Sequence, residues 1–134
     1  MTGTLAARPF EYTVESKKPF DAVVHDLETR SAESGFRVLH THDVAATLRE
    51  KGFPREPLKI IEVCNAGYAN EVLKKDVRIA VMLPCPIAVY SEGGQTRITA
   101  LRPAAMSSFY ADAGIEEVAK KVDEAITAII DKAK

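Results

Sequence analysis

The sequence predicts an α+β domain: a mainly antiparallel sheet of about four to five strands, with helices packed on it and a long helix at the C-terminus. Three observations predict this. Short segments alternate apolar and polar residues with a period of two, segments of helical period lie between them, and Gly93-Gly94 marks a hairpin near the middle of the second half.

Residues 9–15 place Phe10, Tyr12 and Val14 on one side and Glu11, Thr13 and Glu15 on the other, the pattern of a half-buried strand. Pro19 suits a first helical turn, and Phe20, Val23, Val24 and Leu27 then recur at helical spacing, predicting a helix from about residue 19 to 34 with Gly35 at its C-terminal cap. The next strand, Phe36 to His42, carries Phe36, Val38, His40 and His42 on one face and Arg37, Leu39 and Thr41 on the other. The two histidines are thus expected to continue an apolar face.

Asp43 is a good N-cap for a short helix through Lys51 that would pack through Val44 and Leu48 and stop at Gly52. Phe53-Pro54-Arg55-Glu56-Pro57 reads as a loop, because two prolines leave little room for regular hydrogen bonding. Leu58 to Cys64 is rich in β-branched residues and reads as a strand, after which Asn65 caps a helix from Ala66 to roughly Lys75. Residues 77–83 are apolar without a decisive period, so helix and strand both remain open until Pro84 ends the segment.

The hairpin follows. With Gly93-Gly94 as a two-residue turn, Val89 faces Ile98, Ile87 faces Ala100, and Tyr90 faces Arg97 on the opposite surface. After Arg102-Pro103 comes a helical region with an apolar stripe of Ile115, Val118, Val122, Ala125, Ile126 and Ile129; Glu116, Lys120, Asp123 and Lys132 are expected elsewhere on its surface.

A chain of 134 residues makes one domain, 1–134, with residues 1–8 expected as a flexible extension. Its 18 basic and 19 acidic side chains leave a formal charge of −1, which gives no electrostatic reason to bind nucleic acid or an anionic membrane. The N-terminal residues lack a basic segment followed by an apolar run, and no stretch approaches the roughly 20 apolar residues of a membrane helix, so a cytoplasmic protein is expected. In that compartment Cys64 and Cys85 are thiols. Gly93-Gly94 is a turn and not a phosphate loop, and there is no Gly-x-Ser-x-Gly or His-Glu-x-x-His motif, which disfavours the standard nucleotide-binding and hydrolase classes.

Glu62-Val63-Cys64-Asn65, Leu83-Pro84-Cys85 and Val89-Tyr90, together with Gly35-Phe36, Asp43 and Gly52, resemble the family catalogued as domain of unknown function 302 from Tyr12 to the final helix. The Cys-Asn and Leu-Pro-Cys steps are its most specific parts. Ala66 departs from the family, where proline is common after the asparagine, and so does Pro86. The resemblance implies a compact α+β domain, often dimeric, and implies no established activity.

Cys64 and Cys85 lead the candidate chemistry, because both fall at strand or loop ends that could meet, permitting a reversible disulfide or a shared soft metal. A thiolate at Cys64 would gain from the adjoining helix N-terminus. The alternative is that both are small buried hydrophobes. His40 and His42, about 7 Å apart along a strand, would complete a mixed nitrogen and sulfur metal site with Cys64 and Cys85, or else serve as a core-edge histidine and a residue before a helix cap. Glu62, on the strand face of Cys64 by parity, could accept a thiol proton. Tyr90 and Arg97 could face a ligand or a partner subunit. Met106, Phe109 and Tyr110 form either a soft patch for a flat cofactor such as haem or ordinary core, and His25 falls on the polar side of its helix.

Three functions follow: a cytoplasmic, homodimeric binding module for a small molecule, soft metal or cofactor, with a pocket lined by Cys64, Cys85, His40 and Tyr90; a thiol redox protein with Cys64 attacking and Cys85 resolving; or a ligand-free dimeric scaffold. The sequence leaves open whether the protein is an enzyme and which cofactor it would use.

Overall fold

Five strands form one antiparallel sheet in the computed structural model, which describes residues 9–134. In chain order the elements are β1 (Glu11–Ser16), α1 (Phe20–Glu33), β2 (Arg37–Asp43), α2 (Val44–Glu50), β3 (Leu58–Cys64), α3 (Ala66–Lys75), a 3₁₀ segment (Val77–Met82), β4 (Cys85–Glu92), β5 (Gln95–Leu101), α4 (Ala105–Phe109) and α5 (Glu116–Ala133). The strand order is β1-β5-β4-β3-β2. The expected extension at residues 1–8 lies outside the described residues.

The hairpin forms as the Gly-Gly pair requires. Gly93 and Gly94 take φ of 60° and 82°, a conformation L side chains rarely adopt, and they pin Tyr90 opposite Arg97, Val89 opposite Ile98 and Ile87 opposite Ala100. One face of the sheet therefore carries Ile61, Val63, Ile87, Val89, Ile98 and Ala100, all buried beneath α1 and α5. Each buried isoleucine or valine on that face contributes about 1.5–3 kcal/mol. On β4 and β5 the residues between them, among them Ala88, Tyr90, Arg97 and Thr99, remain only half-buried on the other, open face.

The histidines sit opposite to expectation. Val38 pairs with Val63, but His40 pairs with Glu62, so Leu39 is an extra residue in β2. One inserted residue reverses every side chain beyond it. Thr41 now shares the core side with Ile61, and His40 and His42 turn to the open face with Glu62 and Ile60.

Three smaller differences have equally local causes. Helix α2 buries Ala45, while the expected contacts Val44 and Leu48 are half-buried. Residues 77–82 are neither a continuation of α3 nor a strand. Asp76 interrupts with extended backbone, its carboxylate accepts from the Arg78 N–H at 3.0 Å, and a tighter helix follows that buries Ile79 while Val77 and Val81 stay exposed. Asp123, expected on the surface of α5, is buried instead. Arg102 reaches it with two hydrogen bonds, at 2.8 and 3.2 Å, and the Ala104 N–H donates at 3.1 Å, so a carboxylate within the apolar stripe is compensated by a cation and a backbone donor. No helix among the described residues is long and apolar enough to cross a membrane.

Candidate functional site

Cys85 opens β4 opposite Val63, and Cys64 is the next residue along β3. Parity alone would send Cys64 to the open face with Glu62. The strand ends there, however, and the chain turns into α3, so Cys64 and Cys85 line one cavity on the helix-covered side of the sheet. The turn is fixed by Asn65, whose side-chain oxygen accepts from the Tyr68 N–H at 3.0 Å while its amide nitrogen donates to the Gly35 carbonyl at 3.1 Å. Gly35, with φ of 80°, ends α1 and brings its carbonyl to that amide. Phe36 then packs its ring 6.3 Å from that of Tyr68, and both rings line the cavity wall.

The cavity is also lined by Val72 of α3, Val122 of α5, Leu83 and Met106. Met106 sits in the short helix α4, whose entry is held to α5 by the Asp123 bonds to Arg102 and Ala104. The cavity offers about 20 Å³ of space, enough for one water-sized guest, and is partly open to the surface. Both cysteines are free thiols. Burial in these apolar surroundings, reinforced by the nearby Cys64, pushes the Cys85 thiol up to about 11, so it is protonated at neutral pH.

The remaining candidates lie elsewhere. His40 and His42 stack edge to face with ring centroids 4.3 Å apart, and His42 Nε2 is 3.0 Å from Glu62 Oε1. This pairing occupies Glu62 on the open face, away from the thiol it was expected to serve. Among the described residues, no group of three or more His, Cys, Asp or Glu side chains is arranged to hold a metal ion, and the histidine and cysteine pairs do not share a cavity. Tyr90 hydrogen-bonds Thr99 at 2.8 Å, and Arg97 bridges Glu15 at 3.0 Å and Glu92 at 2.8 Å, so both are engaged within the sheet's open face. Met106, Phe109 and Tyr110 are not a common patch. Met106 is buried, Phe109 is exposed, and the Tyr110 ring lies under the Arg78 guanidinium.

Residues 12–133 match the family described as Domain of unknown function DUF302. The chain belongs to this family. The crystal structure of an uncharacterized conserved DUF302 protein from Bacillus stearothermophilus is similar, with a TM-score of 0.89 and 30% sequence identity over 95% of this chain and 100% of that one. No functionally curated protein matches the chain. The steps by which the sequence resembles DUF302 proteins have a physical meaning here: Gly35, Asn65, Cys64 and Cys85 build the corner that closes the cavity.

Sequence reasoning missed Met106 as a neighbour of the cysteines. It is 21 residues beyond Cys85, and its only local signal, apolar spacing with Phe109 and Tyr110, is that of any core helix.

Proposed function

We propose that this protein is a small binding module whose site is the cavity between Cys64 and Cys85, and that it holds an atom-sized soft guest without turning over a substrate. The observation that carries the reading is that two free thiols from separate segments line the same small, largely apolar cavity. A guest the size of a flat cofactor would require the helices over the sheet to part. Reduced thiols suit a cytoplasmic setting. Assembly as a homodimer would use the open face of the sheet, where Tyr90 and Arg97 lie side by side.

Differential alkylation tests the reading. Native, reduced protein is treated with iodoacetamide with and without one equivalent of silver(I), a soft ion that thiolates ligate without change of oxidation state, and the labelled positions are read by mass spectrometry. Joint protection of Cys64 and Cys85 is expected. Protection of one alone, or thiols that neither react nor take up silver until the protein unfolds, would overturn it.

A further inference from the structure

We infer that the cavity is a three-sulfur site for a monovalent d10 metal ion of the copper(I) class, with the Met106 thioether as the third donor beside Cys64 and Cys85. This rests on the reading of the cavity as a binding site and adds to it the donor set and the class of guest. Three sulfur-bearing side chains line a single cavity of about 20 Å³, and they come from three separate parts of the chain: the end of β3, the start of β4 and α4. Most of the other walls are apolar, and the one side-chain amide among them, Asn65, is already engaged with the Gly35 carbonyl and the Tyr68 N–H.

Donor chemistry selects the ion. Thiolate and thioether ligands favour soft copper(I), whereas carboxylate and water suit harder ions. Structural zinc is almost always four-coordinate, and here two thiols and one thioether leave it short of a donor. Copper(I) is stable with two or three sulfurs. Binding exchanges the two thiol protons for the ion and releases them to solvent, leaving one net negative charge on the site and no change of oxidation state. The N-terminal end of α3, directly after Cys64, presents the positive end of the helix dipole to that charge. The bonds of Asp123 to Arg102 and to the Ala104 N–H hold the entry to α4, the helix that carries Met106.

The test is an anaerobic titration of the full-length, reduced protein with copper(I) in competition with bicinchoninate, combined with X-ray absorption at the copper edge. Wild type is expected to bind one copper(I) per chain with three sulfur neighbours. Met106→Leu nearly conserves volume, so it should keep the fold and still protect both thiols from alkylation. It should show two sulfurs and an affinity lower on the order of tenfold. Equal affinity with an unchanged sulfur count in Met106→Leu, or two sulfurs in wild type, would overturn the three-sulfur site while leaving a two-thiol site standing. Wild-type protein that takes up neither copper(I) nor silver(I), with alkylation unaffected, would sink the inference and the underlying reading together.

Discussion

Tyr12 donates its hydroxyl to Asp131 at 2.6 Å, joining β1 to the last turns of α5. The hydrogen bond to the carboxylate, then burial, then the carboxylate's charge push the Tyr12 phenol from its ordinary 10.0 up to about 12. A phenol whose folded value is raised binds its proton more tightly in the folded state. Its contribution to stability is therefore fully present below about pH 10 and is lost as pH rises through about 12. Denaturant unfolding followed from pH 9 to 12 should show wild type losing stability relative to Tyr12→Phe across that window, and the two curves running parallel would contradict it. The neighbouring Arg102 guanidinium, 5.8 Å from the Tyr12 ring centroid, opposes the shift, and its own bonds go to Asp123. None of this was legible in the sequence. Tyr12 was readable as an inward residue, but its hydroxyl partner lies 119 positions away, and Asp123 lay among apolar stripe residues with nothing local to announce its cation.

At the scale of elements, local chemistry was far more legible. Asp43 caps α2 through the Ala46 N–H at 2.9 Å, Asn65 caps α3, and Gly93-Gly94 turns the hairpin, each where its side chain or its lack of one dictates. Asn65→Ala should cost about 1–2 kcal/mol by urea unfolding, because it removes a helix cap and leaves the Gly35 carbonyl without its donor. Asn65→Asp keeps the cap and loses only the donor, so it should fall between wild type and Asn65→Ala. The bulge in β2 was not legible, since a strict period of two and a slipped one look alike until the partner strand is known. Leu39 is half exposed and has no partner in β3. Deleting it should leave a regular ladder in which His42 still meets Glu62, at a cost of about 1 kcal/mol or less in the unfolding free energy. A shift of the His40 and His42 rings to the core side, seen as lost contacts to Glu62 by NMR, would contradict that register.

For the whole molecule, the fold class, the single domain and the long C-terminal helix follow from alternation and helical period, because one face of every strand and helix must reach a common core. The site was legible only in part. Cys64 and Cys85 stood out, and they do share a cavity. Parity joins Glu62 to Cys64 until β3 ends and the chain turns away, alternation puts His40 and His42 on the apolar face until the bulge reverses them, and Met106 reaches the thiols only through the packing of α4 against α5. The sheet thus separates two chemically distinct sets: sulfur on the helix-covered side, imidazole and carboxylate on the open side. Anomalous scattering at the copper edge from crystals of the reduced protein soaked in one equivalent of copper(I) tests this division most directly. A single peak in the cavity, between the sulfurs of Cys64 and Cys85, is expected. A peak between His40, His42 and Glu62 on the open face, with the cavity empty, would contradict it.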